Sequence, residues 1–287
     1  MDSALVPLHR IAGPVTTYCD PDEVIAYARA INDPSPLYLS GETAPPTYAA
    51  VPATAAIVRA EQIPPEALRG SVGRVHGTYD LRIHKPITPG GHLHTTADRC
   101  AVTASTAGMS VTVRLLSHDD AGDLTVEQYW STLMRGPVTG GDQGERLADF
   151  AFPESARANR IGSVSLPTTR DQTFRYAGAS GDRTAMHVND EAAKSAGFPR
   201  KFNQGLLTLG VVTRGLVALT ASEDPRRICR IAVRFTAPSF PGDDLEVSAY
   251  KIVTTEHGSR SYAFEAFSGT VAVLRHGRIE VTGEETG

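Results

Sequence analysis

"RIHKPITPGGHL" (82–93) and "RFTAPSFPGDDL" (234–245) decide the architecture, because the later stretch reworks the earlier one. Arg82 matches Arg234, Pro86 matches Pro238, and Pro89-Gly90 match Pro241-Gly242, all at an offset of 152 residues. An independent pair lies upstream. "YARAINDPSPLYL" (27–39) aligns with "YAGASGDRTAMHV" (176–188) at an offset of 149 residues, which places Asp33 over Asp182 and Tyr38 over His187. Pro-Gly turns recur in many β-rich chains, but two anchors in the same order at nearly equal offsets mark an internal repeat. The chain therefore reads as two copies of one fold, over 1–136 and 156–287. A linker at 137–155 joins them, where Gly, Pro and charged residues replace alternating apolar ones.

Each copy has the same coarse grammar. A short helix comes first, over 21–30 and again over 170–180, and an irregular segment follows. A long apolar helix is then expected near 45–60 in the first copy and over 205–221 in the second. The remainder reads as strands, from partial alternation at 71–84, 108–118 and 124–135, then at 228–237, 244–255, 259–269 and 270–281. One apolar helix followed by antiparallel strands predicts an α+β fold, a sheet wrapped around the helix.

The bulk numbers narrow the class of function. With 287 residues, 41% hydrophobic and 21% charged, the chain is of ordinary globular composition. A formal net charge of −4 leaves no broad basic footprint, so nucleic acid is not the expected partner. Cys19, Cys100 and Cys229 lie far apart without ligand spacing, and read as reduced thiols of a cytoplasmic protein. "MDSALVPLHR" (1–10) lacks the apolar core of a secretory signal. Residues 205–221, interrupted by Arg214, are too few to span a bilayer, so no membrane partner is expected.

"GDRTAMH" (181–187), "AAKSAGF" (192–198), "QGLLTLG" (204–210) and "RFTAPSFPGD" (234–243), in that order, resemble the hydratase-2, or MaoC-like, enoyl-thioester hydratases. The resemblance runs over essentially the whole chain and implies the double hot-dog form, in which one chain mimics a dimer. It implies reversible addition of water to a trans-2-enoyl-thioester, giving the (R)-3-hydroxyacyl-thioester. The family motif, G-D-x-N-P-x-H, assigns catalysis to Asp182 and His187, and the backbone N–H of Gly205 to the thioester oxygen. No cofactor is implied beyond the coenzyme A or phosphopantetheine that carries the substrate. Three departures stand out: Thr184-Ala185 replace Asn-Pro, Gln204 replaces a histidine, and Lys201 replaces an apolar residue or proline.

The same roles follow from the reaction. Water addition at C3 needs a base, a proton for C2, and stabilisation of charge on the thioester oxygen. Asp182 and His187 supply an acid/base pair. An N–H at the head of the 205–221 helix combines a hydrogen bond with the positive end of the helix dipole. Tyr38 stands where the first copy would need its histidine, and a phenol titrating near 10 is a poor substitute for a near-neutral base. One active site per chain is expected, in the second copy, leaving the first to accommodate the acyl chain.

Among the remaining candidates, Arg200 and Lys201 could meet the phosphates of a carrier group, and Thr184 and Gln204 could contact substrate. Asn189 or Asp190 would cap a helix over "EAAKSAG" ended by Gly197. His76, His84, His92 and His94 show no ligand spacing with an acidic partner, and no metal is implied. Trp130 reads as packing. The competing functions are dehydration of carrier-protein-bound, polyketide-like intermediates, thioester hydrolysis on a hot-dog fold, and acyl binding without catalysis. Either a monomer holding its own pseudo-dimer or a homodimer suits the repeat.

Overall fold

A computed structural model describes residues 1–148, 150–252 and 259–283. The first half contains β1 (Ile11–Tyr18), α1 (Pro21–Ala30), α2 (Pro36–Leu39) and α3 (Ala50–Ala60), the last entered through a 3-10 turn at Pro46–Ala49. Four long strands follow, β2 (Gly73–Ile83), β3 (His92–Ser105), β4 (Gly108–His118) and β5 (Leu124–Arg135), then the two-residue β6 (Gln143–Gly144). The second half opens with β7 (Arg160–Leu166), α4 (Gln172–Ser180), α5 (Ala185–Val188), α6 (Asp190–Ser195) and α7 (Gly205–Thr220). It closes with β8 (Ile228–Phe235), β9 (Leu245–Lys251), β10 (Ser259–Ser268) and β11 (Val271–Thr282). The strand expected over 244–255 runs to Lys251, and its last three residues lie outside the described ones.

The chain forms two compact units, which interleave in sequence. One holds Met1–Tyr18, Pro52–Lys85 and Gly91–Asp149, and the other holds Cys19–Val51, Pro86–Gly90 and Phe150–Gly287. The boundary differs from a cut at the 137–155 linker because α1 packs on α4 and so travels with the second copy.

In the first unit the antiparallel order is β1-β3-β4-β5-β2, with β6 on β3. Helix α3 lays Ala53, Ala56, Ile57 and Ala60 on Ala97, Val113 and Leu115 of the sheet. The i, i+3, i+4, i+7 spacing puts these side chains on one face, and the three alanines let the helix axis come close. In the second unit the order is β7-β9-β10-β11-β8, which is the same order with each strand shifted to its repeat partner. This is the α+β, helix-wrapped sheet expected of each copy.

Helix α7 buries Leu206, Leu207, Leu209, Val211, Val212 and Leu216. Each such side chain contributes roughly 1.5–3 kcal/mol when fully buried. Two glycines set its distance from its neighbours. A Cβ on Gly215 would stand 2.7 Å from Val247 Cγ1, and one on Gly210 would stand 2.8 Å from Ile31 Cγ2. Either alanine would force α7 off the sheet or off α1.

Candidate active site

Helix α4 ends where Gly181 takes a left-handed conformation, φ 76°. The chain then folds back on Asp182, whose Oδ1 accepts from the Thr184 N–H at 3.2 Å and from Thr184 Oγ1 at 2.6 Å. This Asx turn fixes the carboxylate and starts the single turn α5. Oδ2 has no hydrogen-bond partner among the described residues. Thr184, expected at the substrate, thus spends its hydroxyl on Asp182.

Helix α5 carries His187 inward, to 7% exposure. Its Nδ1 lies 2.8 Å from the Phe202 carbonyl oxygen. A carbonyl can only accept, so Nδ1 bears the hydrogen and the neutral ring presents Nε2 as a bare acceptor. Burial pushes the imidazole pKa below its ordinary value; the Phe202 bond and the negative charge of Asp182 oppose this without reversing it. The Phe202 ring packs edge-on against the imidazole, with centroids 4.6 Å apart.

Gln204, 1% exposed, ties the loop to α7. Its Nε2 donates to the carbonyls of Thr173 and Asp182, at 3.2 Å each. Thr173 Oγ1 lies 2.8 Å from Gln204 Oε1 and 2.9 Å from the His187 carbonyl oxygen. One buried amide therefore positions the backbone of Asp182, and one hydroxyl that of His187. Gln204 is among the residues that could contact substrate by sequence; its amide also serves this scaffold.

With its amide committed there, Gln204 occupies the N-cap position of α7 without capping it. The first intrahelical bond is Thr208 N–H to the Gln204 carbonyl, so the N–H groups of Gly205, Leu206 and Leu207 have no acceptor within the helix. Gly205 is half-buried between fully buried neighbours. The result is a donor-rich, positively polarised helix end with one accessible residue.

The first repeat copies the loop and alters the chemistry. Asp33 Oδ1 accepts from Ser35 N–H at 2.9 Å, and α2 then carries Tyr38 inward to 1% exposure. Pro45 holds the N-cap angles φ −56°, ψ 141°, nearly those of Gln204 (φ −57°, ψ 145°). The residue that follows is Pro46, which has no N–H to offer where Gly205 has one.

Arg200 pairs with Asp243 at 3.2 Å and lies over the Phe240 ring. Lys201 pairs with Asp190 at 3.3 Å and faces Phe174. Asn189, not Asp190, caps α6, and Gly197 follows with φ 86°. The histidines need a correction: folding brings Asp120 to both His92 (3.3 Å) and His94 (3.2 Å), an acidic partner that spacing could not show. His76 is half-buried and stacked on Trp130 at 3.9 Å. Among the described residues, no group of three or more His, Cys, Asp or Glu is arranged to hold a metal ion. Cys19, Cys100 and Cys229 form no disulfide with one another. No helix among the described residues is long and apolar enough to cross a membrane.

Comparison with known proteins converges on one family. The "MaoC like domain" model matches residues 154–265. The 3-hydroxyacyl-thioester dehydratase Y of Mycobacterium tuberculosis is 32% identical over 237 residues, covering 80% of this chain and 77% of that one. A probable enoyl-CoA hydratase 2 of Dictyostelium discoideum is 30% identical over 142 residues, 49% of this chain and 48% of its own. Among solved structures, a MaoC-like dehydratase from Phytophthora capsici superposes with a TM-score of 0.80 at 21% identity, covering 96% of this chain and 97% of that one. A Mycobacterium tuberculosis protein described as a double hotdog fold gives 0.61 at 15% identity, over 96% of both chains.

Proposed function

The chain belongs to the MaoC-like dehydratase family, and on that premise we propose that the Asp182 loop and the head of α7 form its catalytic centre. As a member of that family it is a lyase-type enzyme that adds water to, or removes it from, an acyl thioester. The finer reading is hydration of a trans-2-enoyl-thioester to the (R)-3-hydroxyacyl-thioester and its reverse.

In the hydration direction, His187 Nε2 accepts one hydrogen bond from the attacking water and so orients it. Asp182 Oδ2 takes the other proton as the water oxygen bonds to C3. The π electrons move toward the thioester oxygen, where the Gly205 N–H and the helix dipole stabilise the developing charge. Asp182 then returns its proton to C2 on the same face, and the charge on oxygen collapses. Atoms and protons balance without any further cofactor. The substrate arrives on coenzyme A or on a phosphopantetheine arm, with Arg200 and Lys201 as candidate contacts for its phosphates.

The observation that carries this reading is the Gln204 amide. It fixes the carboxylate loop and leaves the adjoining helix end uncapped, so the two halves of the chemistry share one scaffold. Incubation with crotonyl-coenzyme A, following the enoyl absorbance and free thiol separately, tests it. Loss of the enoyl signal with no thiol release, and (R)-3-hydroxybutanoyl product on chiral analysis, is expected. Thiol release would transfer the chain to thioester hydrolysis, and binding without turnover would make it an acyl-binding protein.

A further inference from the structure

The first repeat's loop does not end in a filled core. Asp33, Pro34, Ser35, Pro36 and Tyr38 line a cavity of about 300 Å³, closed on the far side by Arg214, Val217 and Ala218 of α7 and by Glu223 and Pro225. The Tyr38 hydroxyl, on a side chain 1% exposed, has no hydrogen-bond partner among the described residues. A buried hydroxyl left unpaired is destabilising, so such a group on a residue that lines a cavity points to an occupant.

We propose that this cavity is a second ligand site, which binds a small neutral molecule carrying a hydroxyl or amide group between Asp33, Tyr38 and Arg214. Its chemistry follows from the donors and acceptors present. Asp33 is 8% exposed and commits Oδ1 to Ser35 N–H, which leaves its other oxygen as an acceptor. Burial, then the charges of Asp33 and Asp224, hold the Tyr38 phenol well above its ordinary pKa, so it remains a donor. Arg214 gives one hydrogen bond to the Asn32 carbonyl and lies within the field of Asp33. The ligand must therefore both give and accept a hydrogen bond, as an alcohol or amide does.

Charge and volume restrict it further. The carboxylate and guanidinium offset one another, so an ionised ligand would bring an uncompensated charge into a half-enclosed space, and the exposed Glu223 at the rim adds a penalty for anions. An acyl tail would leave Asp33 and Tyr38 unpaired, so this is not where a hydrocarbon chain would rest. At roughly 30 Å³ per water-sized group, the space admits about ten non-hydrogen atoms. The prolines, Val217 and Ala218 supply apolar walls for its methylenes.

The probe is 3-hydroxybutanamide, titrated into protein labelled with ¹³C at tyrosine Cζ, with the Tyr38 signal assigned by its absence from Tyr38→Phe. A saturable shift of that signal in the millimolar range is expected, as suits a seven-atom ligand. The anion 3-hydroxybutanoate should bind about tenfold more weakly. Ala218→Trp, at an exposed position of α7, should plug the cavity and abolish the shift while melting as the parent does. Asp182→Asn should leave the shift intact, separating this site from the catalytic one. No saturable shift up to about 100 mM, equal binding of the anion, persistence in Ala218→Trp, or loss in Asp182→Asn would each overturn the proposal.

Discussion

The loops at Asp182 and Asp33 share their backbone. Each follows a helix, each uses an aspartate Oδ1 to fold the chain onto a residue two positions later, and each sends a one-turn helix inward. They differ at two positions that bear on chemistry. His187 offers a neutral nitrogen acceptor where Tyr38 offers a phenol, and Gly205 offers an N–H where Pro46 has none. On the proposed reading, shared architecture does not by itself make a hydratase site: one ring nitrogen and one backbone hydrogen distinguish the Asp182 loop from the Asp33 loop.

That contrast is open to direct attack. Asp182→Asn should reduce hydration of crotonyl-coenzyme A by about a thousandfold and His187→Ala by about a hundredfold or more, as expected for a general acid–base pair. Adding Tyr38→His to Asp182→Asn should recover no measurable rate, because Pro46 still lacks its donor; recovery would show that the helix end is dispensable. Gly205→Pro should fold, since proline is tolerated at the first helical position, yet lose about a hundredfold in kcat, whereas Gly205→Ala keeps the N–H and should lose much less. Thr184→Val removes the 2.6 Å bond to Asp182. We expect about a tenfold fall in kcat with KM little changed, restored by Thr184→Ser.

The smallest effect is on stability against pH. Burial lowers the pKa of His187 in the folded chain, while the unfolded chain titrates near 6.5. As pH falls, the unfolded chain takes up the proton first, so stability declines below about pH 6.5 and stops declining below the folded value. His187→Gln lacks this drain. The Tm of the parent should therefore fall relative to that variant between about pH 6.5 and 5, and parallel curves would place His187 outside the buried environment described.

The repeat, the two central helices and the alternating strands are legible in the sequence because they are written in apolar periodicity and turn residues. β4 and β5 have the limits expected for them. The longest strand, β3, is not legible in the same way. Its inward positions are Leu93, Thr95, Ala97 and Arg99, and only one of them is a large apolar residue. Thr95 pairs with Ser117 at 2.8 Å, and the Nη1 and Nη2 of Arg99 donate to the carbonyls of Pro7, Ala60 and Gln62, partners that only the folded chain supplies. The site divides similarly. Asp182, His187 and Gly205 are visible as a motif, and the Thr184–Asp182 contact is local, but the bonds of Gln204 are set across 22 residues or more of chain, as in the Gln204–Asp182 bond. The same limit hid Asp120 from His92 and His94.

One contact has a wider consequence. Tyr27 of α1 and Tyr176 of α4 hold corresponding places in the two repeats, and their hydroxyls meet at 3.4 Å with ring centroids 5.4 Å apart. Two repeat counterparts in contact make, within one polypeptide, the kind of self-pairing that a symmetric dimer makes between two. A fragment comprising 150–287 alone would lack α1 and so bare the Tyr176 face that α1 covers. Covalent fusion frees two such counterparts from having to mutate together, which is how His187 and Tyr38 come to differ at matching positions of one chain.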